Sequence, residues 1–147
     1  MSTLVCPGVG FFPAYSGQAG STRNNPDDMA IQEIGPLPTG RYYIVDRPKG
    51  GTLGWFRDYR DSIWSGSDRD LWFGLFKDDS QLDDQTFVDS VRRGEFRLHP
   101  AGYRGISMGC ITLPDHCNYA TLRNALLATT PMNIRPTLTA YGTVQVY

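Results

Sequence analysis

This chain of 147 residues has few of the residues that build metal centres and disulfide frameworks. It carries two histidines, His99 and His116, and three cysteines, Cys6, Cys110 and Cys117. No group of them has metal-ligand spacing, which predicts no structural zinc, and nothing in the chain calls for a cofactor. An odd number of cysteines is not a disulfide framework. If Cys110 stays reduced, Cys6 and Cys117 can pair in an oxidising compartment, provided their distance permits it; two separate thiols are the simpler reading. Lysine is scarce, and the formal net charge is −1. No global field therefore points to nucleic acid or an anionic membrane surface. No apolar run is long enough to cross a bilayer. Met1 to Gly10 lacks the basic start and sustained apolar core of a Sec signal. There is no internal repeat and no low-complexity tract.

The chain is rich in turn formers and aromatics: 16 Gly, 10 Pro and 12% Phe, Trp and Tyr. That favours many turns and short strands over long helices, in a single domain spanning residues 1–147. Met1 to Tyr15 reads as a strand or two around Pro7-Gly8, with Phe11 and Phe12 both expected in the core. Ser16 to Asp28 is a polar loop. Arg41 to Asp46 is a strand opened by the turn signal Gly35-Pro36-Leu37-Pro38-Thr39-Gly40. Arg47 to Gly54 is turn-rich, and Trp55, Tyr59 and Ile63 recur at helical spacing, which predicts a short helix from Trp55 to Trp64. Trp72, Phe73, Leu75 and Phe76 are read as core rather than as a sugar-stacking platform. Asp78, Asp79, Asp83 and Asp84 lack the ligand order of a calcium loop and are expected on a solvated surface. Asp115 opens a helix running to Ala128, with Tyr119, Leu122 and Leu126 on one face. Thr137 to Tyr147 alternates as one or two closing strands, with Tyr141-Gly142-Thr143 as a possible turn.

The stretch from Phe96 to Leu113 carries the chemistry. Phe96 and Leu98 alternate with Arg97 and His99, and Ile111 and Leu113 alternate with Cys110 and Thr112, the period of half-buried strands. Two neighbouring strands would bring His99 and Cys110 onto one face, with Arg97 and Thr112. Gly102, Gly105 and Gly109 permit the turns between them. A thiol beside an imidazolium has a lowered pKa, and the imidazole then serves as general acid and base. Gly109 is expected to let substrate approach the backbone, with the Cys110 amide aimed at a developing oxyanion. Ser107 can orient a group in the site or cap the turn. Arg92, Arg93, Arg97 and Arg104 lie close by in sequence, and arginine forks suit a carboxylate. At least one of Arg92 and Arg93 is expected to be simply exposed.

His99-x7-Ser107-Met108-Gly109-Cys110 resembles the signature of L,D-transpeptidases of the YkuD type, in which a His precedes a Ser/Thr-His-Gly-Cys turn. Here the His-to-Ser spacing is shorter, Met108 replaces the second His, and Thr112 stands where many members have Arg. These departures, with Phe12-Pro13-Ala14-Tyr15-Ser16-Gly17 and Ile34 to Tyr42, are similar to a compact branch, the Tlde1-type effectors of type VI secretion. Periodicity alone predicts a β-rich α+β domain; the resemblance implies a mainly β, YkuD-like sandwich with one or two short helices.

The resemblance implies that Cys110 is the nucleophile and His99 the general base and acid, oriented by the Pro100 carbonyl. It makes Gly109 and Cys110 the oxyanion hole, with Ser107 also in the catalytic turn. Arg97, Arg104 and Thr112 are the substrate-side residues. The implied substrate is a peptidoglycan stem tetrapeptide, cut or exchanged at its terminal D-alanine through a thioester. A cognate periplasmic immunity protein, a carrier on the type VI spike, and action in a target cell's periplasm follow from the same resemblance, with no nucleic-acid or membrane partner. Two alternatives stay open: a non-catalytic wall-binding or inhibitor domain, and another Cys-His acyl transferase such as a sortase-like enzyme.

Overall fold

The computed structural model describes residues 1–48 and 68–147, so the helix expected from Trp55 to Trp64 lies outside the described residues. The strands are β1 Ser2–Cys6, β2 Gly10–Ala14, β3 Gly40–Asp46, β4 Phe73–Lys77, β5 Gln85–Val88, β6 Val91–Gly94, β7 Arg97–Pro100, β8 Ile111–Leu113, β9 Met132–Arg135 and β10 Leu138–Val146. Among the described residues there is one α-helix, α1 His116–Leu127, and two single 3-10 turns. The domain is thus mainly β.

Among the described residues, six strands form one sheet in the order β8-β7-β4-β3-β10-β9. The neighbours are antiparallel except β7 and β8, which run parallel. The β1–β2 hairpin continues this sheet past β8 through reciprocal main-chain bonds between Tyr15 and Thr112, at 3.0 and 2.9 Å. The β5–β6 hairpin stands apart as a separate ribbon.

The main core gathers Phe12, Tyr42, Ile44, Phe73, Leu75, Phe96, Leu98, Ile111 and Leu113 against Tyr119, Leu122 and Leu126 of α1. These three helical residues recur at the spacing that places side chains on one face. Asp115 caps the helix by accepting from the Asn118 amide at 2.7 Å. The cap and the apolar stripe are local signals, and the helix forms where they predict it.

Three expectations are corrected. Phe12 is core, but its neighbour Phe11 is 77% exposed, because successive strand residues face opposite ways. Tyr141-Gly142-Thr143 is no turn: β10 runs on through a bulge between Ala140 and Gly142. Asp84 does not belong to a solvated acidic surface, since it binds the buried Arg97.

Candidate active site

The parallel register pairs Leu98 with Ile111, His99 with Thr112 and Pro100 with Leu113. Leu98, Ile111 and Leu113 enter the main core. His99 and Thr112 share the opposite face, where Thr112 Oγ1 lies 3.2 Å from His99 Nε2. Cys110, immediately before β8, sits in a small cluster with Trp72 and Met108. The adjacency read from alternation is present, but β7 is buried on both faces rather than half-buried.

His99 and Cys110 are each 1% exposed. His99 Nδ1 lies 2.7 Å from the Pro100 carbonyl. A carbonyl only accepts, so Nδ1 carries the proton and Nε2 presents a lone pair, to which the Thr112 hydroxyl donates. Burial pulls the His99 pKa down to about 4, with the Arg97 charge adding to it and the Pro100 carbonyl opposing it. His99 is therefore a neutral imidazole near pH 7. The expected imidazolium beside the thiol is corrected: a cation enclosed without solvent is too costly at this position.

The turn before Cys110 is closed by Ser107, whose Oγ donates to the Cys110 carbonyl at 2.8 Å. Ser107 thus caps the turn. Gly109 has φ +82°, and a Cβ there would lie 2.7 Å from Arg93 Nη2 and 2.9 Å from the Phe96 ring. Its side is filled by protein, so the expectation that Gly109 opens the backbone to substrate on that side is corrected.

Arg93 and Arg97 flank this turn, and both interact electrostatically with Cys110. Arg97 is held bidentately by Asp84, with both N–O distances 2.6 Å, and donates to the Phe96 carbonyl at 2.7 Å. Burial disfavours the Arg97 cation, but the Asp84 hydrogen bond and charge outweigh it and keep its pKa raised. A fork used by Asp84 is not offered to a substrate carboxylate. Arg93 is buried and donates to the carbonyls of Met29, Gly35 and Pro36. Arg92 is exposed, as expected of one of the pair, and Arg104 is exposed on the connection between β7 and β8.

Sequence reasoning did not single out Asp84 or Arg23 for the site; it placed Trp72 in the core and Arg93 only among four arginines near the site in sequence. Trp72 stacks on His99 because the antiparallel register Phe73↔Leu98 and Gly74↔Arg97, taken one step further, sets it opposite. Arg23 lies over the Tyr15 ring, 4.1 Å from its centroid, and donates to the Gly105 carbonyl at 3.0 Å. Its buried Nε has no partner among the described residues. Tyr15 is directly opposite Thr112, so its ring belongs to the His99 face of the sheet. Cys6, Cys110 and Cys117 are all free thiols. The described residues include no cluster that could hold a metal ion and no helix long and apolar enough to cross a membrane.

A thiol on one strand end and an imidazole of fixed tautomer on the next are the groups that cysteine acyl transfer requires. The sequence matches the Tlde1 domain over residues 10–137, and the chain belongs to this family, which comprises type VI secretion effectors of L,D-transpeptidase type. No curated protein and no solved structure matches the chain.

Proposed function

We propose that this chain is an antibacterial effector that acts on peptidoglycan as a cysteine L,D-carboxypeptidase and L,D-transpeptidase. Cys110 Sγ attacks the meso-diaminopimelate carbonyl of a stem tetrapeptide as its proton passes to His99 Nε2. The Gly109 and Cys110 amides face the developing oxyanion. The tetrahedral adduct collapses to a thioester, and Nε2 returns the proton to the departing amine of D-alanine. Water, deprotonated by the same nitrogen, releases the tripeptide carboxylate; a free D-amino acid instead forms a new amide. Thr112 must turn its hydroxyl away from Nε2 for the first transfer.

The observation that carries this reading is the His99 tautomer, fixed by the Pro100 carbonyl with the basic nitrogen on the face shared with Thr112. Arg23 and Arg104 are the substrate-side cations: Arg23 fastens the Gly105 carbonyl next to the exposed Arg104. The YkuD-like relationship, delivery on the type VI spike to the target periplasm, and a cognate immunity protein belong to the same proposal.

Mass spectrometry of purified muropeptides incubated with wild type, Cys110→Ala and His99→Ala, with and without D-methionine, tests it. Tripeptide, or tetrapeptide with its last residue exchanged, formed only by wild type is the expected result. Unchanged muropeptides with folded, reduced protein overturn the reading in favour of a non-catalytic domain.

A further inference from the structure

His99 is neutral, so it does not itself supply the imidazolium charge that ordinarily lowers a cysteine pKa. The nearby cations differ in a way that matters. Arg97 brings its own carboxylate, Asp84, which offsets its charge at Cys110. Arg93 is 3% exposed, and its hydrogen-bond partners are all carbonyls. It forms no ion pair among the described residues; besides those carbonyls it meets the Phe96 ring, at 5.6 Å, and acts on the Tyr42 phenol and Cys110. A buried cation without a carboxylate is costly, and carbonyl dipoles compensate only in part.

The backbone explains why the guanidinium is there. Gly109, at φ +82°, has no Cβ, and Arg93 Nη2 takes up the vacated space, 2.7 Å from where that atom would stand. This sets the charge directly behind the residue that precedes the thiol. Arg93 and Arg97, the latter with Asp84, both act electrostatically on Cys110. The Tyr42 hydroxyl, which faces Arg93, donates to the Pro38 carbonyl at 2.7 Å, and burial keeps it protonated. Of the two titratable groups that act on Arg93, Tyr42 and Cys110, the one that can carry a balancing negative charge is the Cys110 thiolate.

We propose that Arg93 is a positioning residue that supplies the counter-charge of the Cys110 thiolate through the space left by Gly109. It rests on Cys110 being the nucleophile. Arg93 neither gives nor takes a proton: the proton leaves Sγ for His99 Nε2 and then reaches the departing amine. The guanidinium lowers the thiol pKa toward that of a weakly basic imidazole, which makes the first transfer less uphill.

The test is a titration of Cys110 in a Cys6→Ser/Cys117→Ser background, followed by thiolate absorbance and by alkylation with iodoacetamide. The expected midpoint lies below the free-cysteine value of about 8.5. Arg93→Lys is expected to keep it low, and Arg93→Met to raise it by about one pH unit and slow turnover about tenfold at unchanged KM. His99→Ala is expected to abolish turnover and leave the midpoint in place. A wild-type midpoint at or above about 8.5 overturns the proposal whether or not Arg93→Met folds. So does an upward shift in His99→Ala as large as that in Arg93→Met. Because the titration needs no substrate, muropeptides left unchanged by a protein of low thiol midpoint count against the peptidoglycan reading and not against this one.

Discussion

The imidazole of His99 lies against the indole of Trp72, ring centroids 4.6 Å apart and planes 28° from parallel. The stack closes one side of the ring, and the Pro100 carbonyl holds one edge. A base held on two sides keeps its Nε2 aimed without help from solvent. Trp72→Phe keeps a flat ring and is expected to retain most turnover. Trp72→Leu is expected to lower kcat about tenfold with KM little changed, and to cost about 2–4 kcal/mol in urea unfolding. Equal kcat in both variants would show that the stack contributes packing alone.

Burial also makes His99 a source of acid lability. Its folded pKa of about 4 lies below the unfolded value of 6.5. Between those values the unfolded chain binds the extra proton, so stability falls as the pH drops from about 6.5 toward 4. The loss attributable to this residue is roughly 3 kcal/mol by pH 4. Urea midpoints from pH 7 to pH 4 should fall steeply in wild type and less steeply in His99→Asn. Parallel slopes would mean that the histidine is not the buried base described above.

The Arg97–Asp84 pair behaves differently from a surface ion pair. Both terminal guanidinium nitrogens, Nη1 and Nη2, are engaged at 2.6 Å, and the arginine side chain is 8% exposed. Asp84→Ala strands that cation, and a loss of about 3–5 kcal/mol is expected. The double variant Asp84→Ala/Arg97→Met should recover a good part of it, since the unmatched charge leaves with its partner. Thermal melts of the single and double variants decide this; additive losses would contradict it.

Arg23 should act on substrate rather than on the thiol. With a stem tetrapeptide, Arg23→Gln is expected to raise KM about tenfold and leave kcat near wild type, the loss of one charge-assisted contact. With the corresponding C-terminal amide the two proteins should perform alike. A fall in kcat on both substrates would assign Arg23 to bracing the loop at Gly105 instead.

Local signals carried the sequence reading a long way. The alternation around His99 and the cap at Asp115 act within a few residues, and the strand and the helix they announce formed where they were expected. The residues around the site depend on which strands meet. Trp72 reaches His99 only because β4 pairs with β7, and Asp84 reaches Arg97 across thirteen positions of chain. Sequence leaves open which of Arg92 and Arg93 is exposed, and Arg93 is the buried one because the 29–36 segment folds over it. The neutral state of His99 follows from enclosure, and motif spacing does not encode enclosure.

β7 and β8 are parallel neighbours joined only by residues 101–110, without the long crossover such strands ordinarily need. The segment is fastened at successive places: the Ala101 amide to Leu113, the Ala101 carbonyl to His116, the Gly105 amide to Gly102, the Gly105 carbonyl to Arg23, and Ser107 to the Cys110 carbonyl. It therefore works as a ruler. The gap between His99 and Cys110 is measured out in chain length and locked at intervals, so a residue added or removed anywhere along it has no slack in which to hide and changes that gap directly.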